Sequence, residues 1–430
     1  MTKHTHARTL HLLVVVLVLL APVFTAPMRG SAAAQPSGEV KLWTEFTAGG
    51  EKTGIEALIA AWQAKNNGVS INHRPIGNEQ FFTVIRTGIA GGEPPDLLQW
   101  EGYQQTRDFA KAGQIVDLTE WWNTHKANFD LQDAAERACT FEGKIYCVPY
   151  TYHTGWQVYY NPAILEENGI QVPTNYEEFL AAAETLKGNG VTPIAFGGKD
   201  GWPGEHWYMA FLVQRCGVAG VYSAIEGTGA KFTDPCFVQA AADFQNLVEK
   251  EYFSQGAASD DYGTAQAIFL SGQAAFFQTG SWFASGWDQT PPEIEIGIMP
   301  FPRMADSAFP NDVTGAVTHT FGIPTAAENP EAAMAVLDWM ASPEGAAIWA
   351  QNGNLSMVAG AVDTSAPQTI KDLWTNVKAA QAALPWIENE LPPGVGEDKV
   401  YTGTVALITG DMTPEQFSQS IQEALDASRT

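Results

Sequence analysis

Several of the 14 tryptophans in this 430-residue chain stand beside groups that bond hydroxyls. Trp43-Thr44-Glu45 sets an indole, a hydroxyl and a carboxylate in succession, and Trp100-Glu101 repeats the pairing of indole and carboxylate. Tyr152-His153 puts a phenol beside an imidazole. Trp282 follows Gly280-Ser281, and Trp202 lies in Gly201-Trp202-Pro203-Gly204, which reads as an exposed turn. Flat rings can cover apolar C–H faces, and planar polar groups can bond hydroxyls. Paired carboxylates can also flank a glycosidic bond as acid and base, but acids are plentiful here and their presence decides nothing. No G-x-S-x-G, H-E-x-x-H or S-x-x-K occurs to mark a nucleophile or a catalytic metal. The cysteines lack C-x2-C spacing and no histidine pair sits at ligand spacing, so no metal site is expected.

Residues 40–43 read as an apolar strand that delivers the first of these groups, followed by a loop over 44–52. Thr53 and Glu56 have capping-box spacing, and Ile55, Leu58, Ile59 and Trp62 then share one helical face. Asn67-Gly68 ends that helix, residues 69–72 read as a strand, a helix follows over 79–90, and residues 96–100 read as a buried strand ending at Trp100. This alternation predicts a parallel α/β layer. It recurs beyond Thr174-x-x-Glu177, a second capping box, with Tyr176, Phe179, Leu180 and Ala183 on one helix face and a strand at 193–196. Helices are expected after Asn329-Pro330, after Ser342-Pro343 and over 414–427. Trp62 and Trp339 fall on helices and read as packing. Ligands of open α/β sheets bind where strands end, which is where the aromatic and acidic pairs lie.

The length suggests more than one domain. A formal net charge of −25 argues against nucleic acid or anionic lipid as a partner. Residues 1–34 read as a signal peptide: Lys3 and Arg8 precede an apolar run at 10–21, and Ser31-Ala32-Ala33-Ala34 supplies small residues for cleavage. The run is short for a membrane span, and no cysteine near the cleavage site offers a lipid anchor. Export permits disulfides among Cys139, Cys147, Cys216 and Cys236. Cys139 and Cys147 flank a hairpin-like stretch and are close enough to bridge, which leaves Cys216 with Cys236, although three pairings exist in principle.

Several segments, in order along the chain, resemble the extracellular solute-binding proteins of bacterial ABC importers, in the sugar-binding branch related to maltodextrin- and glucose-binding proteins. They are Gly91-Gly92-Glu93-Pro94-Pro95-Asp96-Leu97-Leu98-Gln99-Trp100, Gly143-Lys144-Ile145-Tyr146-Cys147-Val148-Pro149-Tyr150, Tyr159-Tyr160-Asn161-Pro162, Pro173-Thr174-Asn175-Tyr176-Glu177-Glu178-Phe179, the stretch from Phe269 to Trp282, and Phe321-Gly322-Ile323-Pro324 with Ala341-Ser342-Pro343-Glu344-Gly345. The resemblance implies two α/β lobes with a ligand cleft between them and a hinge that closes on the solute. It implies crossovers near 147–149, 299–302 and 352–355, hence one lobe from 35–148 and 303–352 and another from 149–302 and 353–430. By position it carries ligand contact onto Trp43, Thr44, Glu45, Trp100, Glu101, Tyr152, His153, Trp202, Trp282, His319 and Asn354, with Trp282 where the family commonly stacks a sugar.

The expected function is capture of a neutral mono- or oligosaccharide outside the cytoplasmic membrane and delivery to a permease, by a monomer, with no catalysis and no cofactor. Arg107 is the one arginine near the proposed cleft, so an anionic solute is disfavoured. Glu45 and Glu101 leave a cation such as a polyamine open, and a secreted glycoside hydrolase is the rival from another class. One departure concerns Ala48-Gly49-Gly50-Glu51, where maltodextrin-binding relatives carry a different acidic loop.

Overall fold

The strand expected at residues 40–43 runs over Gly38–Thr44 (β1) in the computed structural model, which describes residues 1–2, 36–65, 68–287, 290–392 and 394–429. The signal-peptide reading lies outside the described residues except for the first two, as does Asn67. The strands continue with β2 (Val69–Pro75), β3 (Leu97–Trp100), the short pair β4 (Thr140–Phe141) and β5 (Lys144–Ile145), β6 (Val148–Thr154), β7 (Gln157–Tyr160), β8 (Thr192–Ala195), β9 (Ala274–Gln278), β10 (Gly297–Pro300), β11 (Asp312–Gly322) and β12 (Ala382–Leu384).

They form two principal sheets. In the first, β2, β1 and β3 are parallel, β11 runs antiparallel to β3 and to β6, and β12 pairs with the start of β11. The second has the order β10-β7-β9-β8, with β8 and β9 parallel and the others antiparallel. The chain leaves the first sheet at the end of β6, turns through Gly155-Trp156 and enters the second at β7. Helices connect the parallel strands, so each sheet is the core of an α/β layer.

The helix after β1 starts earlier than its sequence suggests. It spans Gly49–Ala64, and Thr53 lies inside it rather than capping it. Two glycines explain the early start. A Cβ at Gly50 would stand 2.9 Å from the Gly286 nitrogen, and one at Gly54 would stand 2.7 Å from the Trp349 ring. Only bare backbone lets this first turn press so closely on its neighbours. Ile55, Leu58 and Trp62 face the core as expected. The Trp62 indole N–H donates to the Val69 carbonyl at 2.9 Å, and its ring packs on Trp339 at 5.5 Å between centroids. Each such buried apolar side chain contributes about 1.5–3 kcal/mol.

Two other helix starts also move. Asn175, not Thr174, caps the helix Tyr176–Gly188 by accepting the Glu178 N–H at 2.8 Å, while Glu178 accepts from Thr174. Trp202, read as part of a turn, opens the helix Trp202–Arg215, with Pro203 in the first turn, where its missing N–H costs nothing. The helices Pro330–Met340, Pro343–Gln351 and Pro414–Ser428 lie where expected. Disulfides join Cys139 to Cys147 and Cys216 to Cys236. No helix among the described residues is long and apolar enough to cross a membrane.

Candidate functional site

The end of β1, the first turn of the following helix, β6 and β11 bring Glu45, Glu51, Gln99, His153 and His319 together. Glu51 Oε1 accepts from His319 Nε2 at 2.6 Å and lies 3.3 Å from His153 Nε2. His319 Nδ1 reaches Glu45 Oε1 at 3.1 Å. Gln99 holds Glu45 in place twice, accepting its backbone N–H at 3.0 Å and donating to its carboxylate at 3.2 Å. The pairing of β6 with β11 shifts register on either side of His319, and Thr318 Oγ1 comes 2.9 Å from His153 Nδ1. Such irregularities re-aim side chains near functional sites.

Charge in this network is concentrated on one ring. Burial opposes a charge on His319, but Glu51 and Glu45 outweigh it and push its pKa up to about 10. Burial pulls Glu51 upward, yet His319 and His153 hold it well below the usual carboxylate range. Burial lowers His153 despite Glu51, so that ring is neutral at pH 7. One imidazolium thus lies between two carboxylates. The ligand atoms of Glu51, His153 and His319 fall within 4.8 Å of one another, close enough to hold a divalent cation.

An aromatic cluster adjoins this network. Trp282 meets His153, Trp202, His206 and Trp386 edge-on, at 5.2, 5.9, 5.6 and 6.1 Å between centroids. Its indole N–H donates to the Tyr262 hydroxyl at 3.1 Å. His206 stacks on Trp386 at 4.5 Å. Beyond the rings lie three acids that have no basic partner among the described residues. Glu205, fully buried, accepts the Glu388 backbone N–H at 3.3 Å. Burial pushes its pKa up to about 7, and Glu388 is raised further by burial and by Glu205. Glu101 is raised by burial and by the charges of Glu45 and Glu388. His206 is pushed down to about 3 by burial.

Of the residues expected at the site, Glu45, Glu101, His153, His319, Trp202 and Trp282 come together here. The structure places the others elsewhere. The Trp43 ring carries the Arg74 guanidinium at 4.7 Å and covers Gly88. Thr44 bonds His73 at 2.8 Å. Trp100 is fully buried, its indole N–H on Thr106 at 3.0 Å and its ring edge-on to Phe109. Tyr152 is buried against Trp374. Asn354 ties the Gly50 carbonyl, at 2.8 Å, to the Ser285 hydroxyl, at 3.1 Å, and so braces the site from behind. Sequence reasoning missed Glu51, Gln99, Glu205, His206, Trp386 and Glu388. Glu205-His206 next to Trp202 was the one local signal, since i, i+3 and i+4 share a helix face.

Residues 48–347 match the family model described as bacterial extracellular solute-binding protein. The chain belongs to that family. It is 28% identical over 329 residues to an uncharacterized ABC transporter extracellular-binding protein of Pyrococcus horikoshii, covering 74% of this chain and 71% of the relative. It is 26% identical over 235 residues to the multiple sugar-binding protein of Streptococcus mutans, about half of each chain (51% and 52%). Among solved structures, one from work on xylan utilization by the thermophilic bacterium Caldanaerobius polysaccharolyticus superposes with a TM-score of 0.82 at 24% identity, covering 90% of this chain and all of that one. This last likeness establishes the fold.

Proposed function

We propose that this solute-binding protein captures a mono- or oligosaccharide between its two lobes, outside the cytoplasmic membrane, and delivers it to an ABC import permease. The observation that carries the reading is the junction of Trp282, Trp202 and Trp386 with buried hydroxyl acceptors: an apolar ring face beside Glu45, Glu101 and Glu205 is what a pyranose presents itself to. The named sugar-binding relative supports it. The lobes we assign are 35–148 with 303–352 and 149–302 with 353–430. The second sheet's four strands all lie within 149–302, and β6 with β11 supplies the connection. The rings pack on one another, so a sugar enters only when the lobes part, and closure then selects the bound form. The role is binding without turnover, by a monomer, with each lobe docking on one half of the permease.

A thermal-shift panel of the purified protein against sugars of one to three rings, polyols, amino acids and polyamines tests this. A saturating concentration, about a hundredfold over Kd, stabilises the fold by about 2.7 kcal/mol. An upshift with one carbohydrate class and no product formed is the expected result. A shift with amino acids alone, or cleavage of a glycoside, overturns the reading.

A further inference from the structure

We infer that Glu51, His153 and His319 bind one zinc ion, through Glu51 Oε1 and the Nε2 atoms of the two histidines. This stands apart from the carbohydrate reading. No sequence motif announces the site, because the helix Gly49–Ala64, β6 and β11 bring its ligands from separate stretches of the chain.

Both rings aim Nε2 at the same carboxylate oxygen. Glu51 Oε1 stands 2.6 Å from His319 Nε2 and 3.3 Å from His153 Nε2. Tetrahedral ligands held about 2.0–2.1 Å from zinc lie roughly 3.3 Å from one another. The His153 pair already has that spacing, and the His319 pair needs to open by only a fraction of an ångström. The other nitrogen of each ring is held from behind. His153 Nδ1 meets the Thr318 hydroxyl at 2.9 Å, and His319 Nδ1 meets Glu45 Oε1 at 3.1 Å. Gln99 in turn fixes that carboxylate. Metal-ligating imidazoles are anchored through the second nitrogen in this way, which sets the tautomer and aims the first. Glu51 is fixed by its backbone. It follows Gly50, which presses so closely on Gly286 that the first helical turn has little room to withdraw. Both histidines are buried, while Glu51 keeps 18% of its side chain exposed and leaves an ion a way in.

Charge favours a dication over a single proton. The site sets two carboxylates, Glu51 and Glu45, against two imidazoles, and no lysine or arginine pairs with either acid among the described residues. With both imidazoles neutral, a zinc ion balances the two acids. A lone proton between His319 and Glu51 leaves one negative charge uncompensated in a buried place. Zinc takes the place of that proton, which leaves for solvent on binding. Two imidazole nitrogens and one carboxylate oxygen are a donor set for a borderline ion such as zinc, whereas calcium and magnesium prefer oxygen throughout. Three protein ligands also leave a fourth position for an oxygen of water or solute, as in zinc sites that act on what they bind. His153 is the ring that meets Trp282, at 5.2 Å, so the ion adjoins the aromatic cluster.

Calorimetric titration of the purified, tag-free protein with zinc chloride, after stripping with a chelator, tests this. The expected result is one equivalent bound with a Kd of about 1 μM or below, and no binding of calcium or magnesium chloride under the same conditions. His153→Ala and Glu51→Gln should each weaken zinc by about 100-fold or more. Glu45→Gln, which alters only the acceptor behind His319, should weaken it by about 10–100-fold. Where a variant does not fold, X-ray absorption of the zinc-loaded parent gives the answer alone: two imidazole nitrogens at about 2.0–2.1 Å are expected. No saturable binding, a zinc shell without two imidazoles, or one equivalent that survives both His153→Ala and Glu51→Gln overturns the inference. None of these results bears on the carbohydrate reading, which the sugar panel tests separately.

Discussion

Truncating Trp282 and truncating Trp100 should have opposite signatures. Trp282 is half-buried and meets four rings at the site, so Trp282→Ala is expected to weaken the solute about tenfold or more, with little change in unfolding temperature, as titration calorimetry would show. Trp100 is fully buried in the first sheet, so Trp100→Ala should cost about 3–5 kcal/mol of stability. Sequence could not separate the two. All four residues of β3 are buried, so no alternation told Gln99, which points into the site, from Trp100, which points away. Glu205 makes a separate prediction. Its folded pKa lies above its ordinary 4.5, at about 7, so the folded state binds the extra proton between those values. The stability it contributes is present below pH 4.5 and lost as pH rises through about 7. Glu388, Glu101 and Tyr401 interact with it or with one another and shape the same transition. The solute-free protein should therefore lose on the order of 3 kcal/mol relative to Glu205→Gln between pH 4.5 and 8, measurable by denaturant titration of both proteins across that range. An equal pH response of the two would remove Glu205 from the account.

At the level of elements, the periodic helices and strands were legible because their apolar spacing had no rival. Helix starts were less so. Thr53 and Glu56 have the spacing of a cap, but the close fit of Gly50 and Gly54 extends that helix toward its N-terminus and puts Glu51 on the first turn, in reach of two histidines. Nothing in a linear motif signals that packing. The turn-forming look of Gly201-Trp202-Pro203-Gly204 likewise hid a helix that carries Trp202, Glu205 and His206 on one side. That helix ends where Cys216 bonds Cys236 at the start of the helix Pro235–Glu249. Replacing both cysteines with alanine opens a loop of 20 residues and should cost about 3 kcal/mol, read as a lower denaturant midpoint. Replacing one alone leaves a free thiol and is the poorer test.

For the whole molecule, the two-lobed plan was legible from family-like segments spread along the chain, while the composition of the cleft was not, because its members come from distant parts of the sequence that only the fold unites. The strong negative charge says nothing of this site, since most of the acids are on the surface. Gly50 at the start of its helix, Gly286 after Trp282 and Gly353 approach so closely that a Cβ on Gly50 or on Gly353 would stand 2.9 Å from the Gly286 nitrogen. Gly286 and Gly353 also have φ of 82° and 84°, where side chains are strained. A methyl group on Gly286, which would stand 2.9 Å from the Gly50 nitrogen across the two lobes, is then a doorstop. It touches no solute, yet it should keep the lobes ajar, so that apparent affinity falls in proportion to the lost closed fraction while the solute's rate of departure rises. Small-angle scattering of Gly286→Ala with saturating solute should report a larger radius of gyration than the parent. Such a protein would still recognise its cargo but would hold it too briefly to hand it on.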